Sequence, residues 1–189
     1  MLFSASKDSG SGSGAPDVPV LRAVHGSDAE TVLGLMELSA ADAAAAWWWV
    51  GVHGGAGEST LQELYVGTRA AGHRWPVAAG RRPEVVLVAR THARGLLAVQ
   101  AALRDLAYRQ IGVSLLGVVL IADAPGRLPR SLRELADRVA STGVVPRTWS
   151  LPFVREWREG EVPSRANSPK QALWLLEELT EARDREAGL

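Results

Sequence analysis

Cysteine is absent from these 189 residues, which excludes disulfides and thiolate metal sites. The four histidines, His25, His53, His73 and His92, are scattered without ligand spacing, so no zinc site is expected. Net charge is missing as well, with 21 Lys and Arg against 21 Asp and Glu. Binding to nucleic acid or to an anionic membrane needs a basic excess, so neither is expected as a direct partner. No apolar run reaches the roughly 20 residues that span a bilayer. The opening MLFSASKDSGSGSGAPD has no apolar signal core, which predicts a cytoplasmic chain. Lysine is nearly missing: Lys7 and Lys170 are the only two, and all other basic charge is arginine. An anion held in the middle of this chain would therefore have no lysine nearby in sequence.

Against these absences stands a hydrophobic fraction of 47%, enough for one domain with its own core. The expected organisation is a flexible leader over 1–17, a helical extension over 18–46, an α/β domain over 47–183 and a frayed tail over 184–189. Ser27 and Glu30 have the form of a capping box, and Val32, Leu33, Leu35 and Met36 follow, which predicts a helix over 28–38. Ser39 and Asp42 open an alanine run that adds one more helical turn. Trp47 to Val52 is an apolar run of strand length. Alternate residues of a strand face opposite sides, so at least one of its three indoles should pack under the N-terminal helix. The three are either all core, or one is exposed for a partner.

Downstream, a helix is expected over 59–71 and an edge strand over 73–77, where Pro76 argues against a central place. Buried strands follow at 84–89 and 115–122, with a helix over 92–110 between them whose face is Leu96, Val99, Leu103, Leu106 and Ala107. Ser131 and Glu134 form a further capping box. Residues 148–151 read as a short strand. Ser168 and Pro169 open the last helix, with Ala172, Leu175, Leu176 and Leu179 as its face. Strands alternating with helices imply an α/β fold with a mostly parallel sheet and flanking helices in three layers.

The stretch most suggestive of chemistry is VGVHGGAGESTL, Val50 to Leu61. A strand, a glycine turn and a helix start make an anion site from backbone N–H groups and helix dipole. The phosphate-loop pattern GxxxxGK[ST] places a lysine where this chain has Glu58. At about 5 Å and an effective dielectric near 20, each charge–phosphate interaction is roughly 3 kcal/mol before screening. Losing the cation and gaining an anion together outweigh the roughly 1.5–3 kcal/mol of one amide-to-anion hydrogen bond. His53 beside Glu58 has the composition of an acid–base pair, but with no visible nucleophile a turn or packing role is expected.

GVHGGAGESTL resembles the deviant phosphate loop of ParA/MinD-type ATPases, which reads KGGxGK[ST]. Gly54, Gly55, Gly57, Ser59 and Thr60 match; Ala56 fills the variable place. His53 replaces the signature lysine, and Glu58 replaces the phosphate lysine. PEVVLVARTHARGLLAVQAALRDL, LLGVVLIAD and RTWSLPFVREWREGEVP are similar to later segments of that group, so the resemblance covers roughly residues 47–180. Ile121 stands where the group has a base-side asparagine. The chain is also similar to a small uncharacterised family, in its segments HGGAGEST and ADAPGRLPRSL.

The resemblance implies a reduced phosphate-loop NTPase fold with the degenerate loop His53, Gly54, Gly55, Ala56, Gly57, Glu58, Ser59 and Thr60. The stretch before Glu84 looks too short for the group's second strand, its switch segments and the strand ending in its magnesium-binding aspartate. Ser59, a magnesium ligand in a working enzyme, is expected to serve the helix start instead. Asp123, Arg127 and Arg130 lie at the carboxyl end of the sheet, where doubly wound folds bind ligands. Together with Trp157 they are the candidate ligand or partner contacts; the plainer readings are a loop or capping role for Asp123, a solvated loop for Arg127 and Arg130, and core closure around Pro152 for Trp157. The implied function is a non-hydrolysing scaffold or regulator with a protein partner, potentially a homodimer, and no cofactor. The alternatives are an ATPase that binds ATP or GTP with magnesium and completes its site with a partner's arginine, and a weak anion or nucleotide sensor.

Overall fold

The computed structural model describes residues 33–186. The expected leader, the Ser27–Glu30 capping box and residues 28–32 of the expected helix lie outside the described residues. Five strands build the main sheet: β2 (Trp48–Gly51), β3 (Arg69–Gly72), β5 (Glu84–Arg90), β6 (Ser114–Ile121) and β7 (Thr148–Leu151). Their order is β3-β2-β5-β6-β7, and every pairing is parallel. Two further strands, β1 (Gly34–Glu37) and β4 (Arg74–Val77), form a separate parallel pair. The helices are α1 (Glu58–Leu64), α2 (Ala93–Arg109), α3 (Arg130–Ala140), α4 (Arg155–Arg158) and α5 (Lys170–Glu186). This is an α/β fold with a five-stranded parallel sheet flanked by helices.

The sheet has two apolar faces. Trp48, Val50, Val85, Leu87, Val118 and Leu120 face α2, α3 and the small sheet. Trp47, Trp49, Val86, Val88, Val119 and Ile121 face α1, α4 and α5. Parallel strands covered on both sides carry near-continuous apolar runs, as β5 and β6 do. The tryptophan run divides by strand alternation, with Trp48 on one face and Trp47 and Trp49 on the other. All three are buried, which overturns the exposed alternative. Trp49 donates to Thr68 Oγ1 at 2.8 Å and stacks on Tyr65 with centroids 5.4 Å apart.

Several expectations need correction. Residues 34–37 are strand, not helix: β1 runs beside β4, pairing Leu35 with Trp75, and Leu33 is buried with Trp48. VLGLMEL satisfies a helical spacing, but Gly34 weakens a helix and pairing with β4 decides the outcome. The extra turn at 40–44 forms as a 3-10 helix, with Asp42 accepting from the Ser39 backbone and hydroxyl. That hydroxyl, first among the causes, holds the Asp42 carboxyl below its ordinary value.

The helix after the glycine loop ends at Leu64, and the expected space-limited connection holds both β3 and β4. β3 has alanines where strands favour branched residues, so its pairing with β2 makes it a strand. Pro76 is tolerated because β4 belongs to a two-stranded sheet with an open side. Helix α3 starts at Arg130 behind Pro129, so Ser131 is not its cap. The buried Ser168 hydroxyl has no hydrogen-bond partner among the described residues, and the first bonds of α5 run to the Pro169 carbonyl. Helix α5 continues to Glu186, past the expected boundary at 183, and Leu176 and Ala107 fall outside the buried faces assigned to them.

Candidate functional site

The connections of β2 and β5 leave in opposite directions. β2 passes through α1 to β3 on one side, while β5 passes through α2 to β6 on the other. The crevice between the carboxyl ends of two such strands is where open α/β sheets bind ligands. Here that crevice is bordered by the glycine loop 52–57 after β2 and by Arg90, the last residue of β5, with Thr91 and His92 after it.

The loop has the expected strand-turn-helix setting. Gly55 and Gly57 take φ of 72° and 106°, backbone conformations that side chains disfavour. A Cβ on Gly57 would lie 2.8 Å from Ile121 Cδ1 and 3.8 Å from Arg90 Nη2. Ile121 is therefore a fully buried support under the loop. Ala56 is buried, while Gly54, Gly55 and Ser59 are exposed.

Glu58 folds back over the loop. Its Oε2 accepts the Gly57 N–H at 3.1 Å. Its carboxylate so closely covers Gly51 that a Cβ there would lie 2.6 Å from Glu58 Cδ. The residue in the lysine position thus supplies the loop with an anion of its own.

His53 is engaged at both ring nitrogens. Nε2 accepts the Arg90 backbone N–H at 3.0 Å, so Nδ1 carries the proton and donates to the Gly54 carbonyl at 2.9 Å. This bond ties β2's loop to the end of β5 across the crevice. Burial first, opposed by the Gly54 carbonyl and Glu58, pulls the His53 pKa below its ordinary value. The His92 ring lies 4.8 Å away, centroid to centroid, and caps α2 by accepting from the Gly95 N–H. With both nitrogens committed, His53 is a tie between loop and sheet and has no free nitrogen for acid–base work.

Arg90 is the residue that the sequence reading missed. It is only 7% exposed, yet its Nη1 donates to the Ala122 carbonyl at 3.2 Å and its buried Nε–H has no partner among the described residues. Burial, and then the neighbouring Arg158, lower its pKa; Asp123 opposes them. The signal was present in EVVLVAR: a charge directly after an apolar strand, at the carboxyl edge of an α/β sheet.

Asp123 reaches this edge. Its backbone N–H donates to Thr91 Oγ1 at 3.2 Å, and its carboxylate lies 3.7 Å from Arg158. The other candidates do not converge here. Arg127 is exposed in its loop, and Arg130 pairs with Glu134 one turn along α3. Trp157, a candidate partner contact beside a default of core closure, is 8% exposed and belongs to the core with Trp149 and Leu175, as that default has it. Two open clefts, of about 590 and 550 Å³, lie away from this edge, at the amino end of β6 and beside β3.

No helix among the described residues is long and apolar enough to cross a membrane. Residues 45–172, more than half of the chain, match the Family of unknown function (DUF6668), and the chain belongs to that family. The match spans the glycine loop, Arg90, Asp123 and Arg158 alike. No curated protein and no solved structure matches the chain.

Proposed function

We propose that this protein is a degenerate phosphate-loop NTPase relative, of ParA/MinD type, that acts through protein contacts as a scaffold or regulator and does not turn over nucleotide. The observation that carries this reading is the Glu58 carboxylate lying over Gly51 and taking the Gly57 N–H. A phosphate entering the loop must displace a like charge already held there, and no lysine is at hand. Phosphoryl transfer asks still more, because the developing charge needs cations placed around it. Exposed aromatic side chains on two helices, Tyr108 on α2 and Trp174 on α5, are suited to anchoring a partner. Partition, conjugation or secretion supplies candidate settings by analogy with the ParA/MinD group.

Calorimetric titration with ATP and GTP, magnesium present, tests the reading. The native chain is expected to give no binding at millimolar nucleotide. Glu58→Lys is expected to create binding, because it removes the internal anion and restores the cation in a loop whose backbone is already curved. Micromolar binding by the native chain would overturn the proposal.

A further inference from the structure

We infer that Arg90 and Arg158 hold a single phosphate group at the carboxyl ends of β5 and β6, in the crevice beside Gly57. This goes beyond the closed loop, because the site uses arginines from β5 and α4 rather than the loop's own cradle.

The argument starts from the cost of Arg90. A guanidinium taken out of water needs partners for its five N–H groups. Among the described residues Arg90 has one, the Ala122 carbonyl on Nη1. The Nε and Nη2 edge is the one that grips an oxyanion bidentately. Nε on that edge is buried and unpartnered, and Nη2 is turned toward Gly57. Buried polar groups without partners are rare and call for an explanation. Neither neighbouring carboxylate hydrogen-bonds it among the described residues. Glu58 is committed to the Gly51 side of the loop, and Asp123 faces Arg158. The Asp123–Arg158 separation of 3.7 Å is longer than a charge-assisted hydrogen bond, so Arg158, half exposed at the rim, keeps its donors.

Against Arg90 and Arg158 stand Asp123 and, at Gly57, Glu58, so an anion here is drawn by the unpartnered Nε–H and the free fork of Arg158 rather than by net charge. A tetrahedral phosphate has enough oxygens to meet both forks, whereas a planar carboxylate suits one. The group must be single because Glu58 repels a second phosphate extending into the loop. Free phosphate and a small phosphate monoester share this chemistry.

The test is a titration of the nitrogen-15-labelled full chain followed by NMR at the Arg90 Nε–H and the Gly57 amide. The probes are inorganic phosphate, AMP and acetate. Inorganic phosphate is expected to shift both signals saturably in the millimolar range. Saturation by phosphate alone identifies the free ion as ligand; saturation by AMP as well identifies a monoester. Arg158→Gln, on the exposed rim, is expected to weaken binding about tenfold, the lower end for a charge-assisted bond. Arg90→Lys keeps the charge and loses the fork, and should weaken it at least as much. Glu58→Gln removes a nearby negative charge and should tighten it. Absence of any shift in both the native and Glu58→Gln chains overturns the inference. So does acetate binding as well as phosphate, or phosphate binding indifferent to Arg158→Gln. Failure here leaves the closed loop standing, since that reading fails only by micromolar nucleotide binding.

Discussion

The tryptophan face of the sheet and the carboxyl edge of the same sheet are built on opposite terms. On the face, Trp47, Trp49, Tyr65, Leu61 and Leu175 are buried against one another; the Trp49 and Tyr65 polar atoms find partners, the Trp47 and Trp157 indole N–H groups have none among the described residues, and no charge is buried there. At the edge, a few residues on, Arg90 is buried with its Nε–H unpartnered among the described residues, and Glu58 lies folded over bare glycine backbone. Burial of apolar area stabilises in proportion to its extent, whereas a buried charge costs free energy unless it is fully partnered. A chain that accepts the second arrangement beside the first has kept it for something other than stability. The comparison therefore singles out the edge as the costly part of the sheet, which is where the proposed phosphate site lies.

The largest effect should come from the face. Trp49→Ala removes a fully buried indole, its stacking on Tyr65 and its bond to Thr68, and is expected to cost about 3–5 kcal/mol. That is a large share of the roughly 5–15 kcal/mol that holds a domain folded. Trp174→Ala, at a site 55% exposed, is expected to stay within about 0.5 kcal/mol. Urea unfolding, read as a shift in midpoint at constant slope, gives both numbers. Equal costs for the two substitutions would break the distinction between face and surface.

The face was also the more legible region. β5 and β6 announce themselves as EVVLVA and LLGVVLIA, because a strand covered on both sides needs an apolar residue at nearly every place. The glycine loop was equally plain, since its turn demands residues that tolerate positive φ. β1 and β3 were hidden for a common reason: GLME and RAAG have no strand pattern of their own, and pairing with β4 and β2 creates them. At the site, Glu58 could be placed in the loop but not its direction, which follows from the room left by Gly51 and Gly57. Arg90 stood one residue beyond the apolar run. Its burial depends on neighbours from β6 and α4 that no local reading brings together. Arg127 and Arg130 share the edge in topology and remain in solvent, where the plainer reading of a solvated loop puts them.

A middle-sized effect with the opposite sign should come from the edge. Arg90→Met keeps an unbranched side chain of similar reach and removes the buried charge. It gives up one bond to the Ala122 carbonyl, worth about 1 kcal/mol, and is relieved of a desolvation cost of several kcal/mol. Stability is expected to hold or to rise by about 1–2 kcal/mol in the same urea experiment. A loss above about 2 kcal/mol would show that the charge supports the fold, and the contrast between face and edge would narrow to one of degree.

The smallest effect should come from His53, where the edge is tied to the sheet. Its folded pKa lies below its ordinary value of 6.5, chiefly through burial. The unfolded chain therefore takes up a proton first as pH falls. The stabilisation is fully present above about 6.5 and declines as pH drops through the unfolded value toward the folded one. The cause is visible in the bonding: a proton on Nε2 would confront the Arg90 N–H, a donor against a donor. His53→Asn keeps a short side chain with an acceptor and has no imidazole to titrate. Stability of the native chain is expected to rise with pH from about 5.5 to 7, and that slope should be smaller in the variant. Identical slopes would mean that this tie does not govern the pH response.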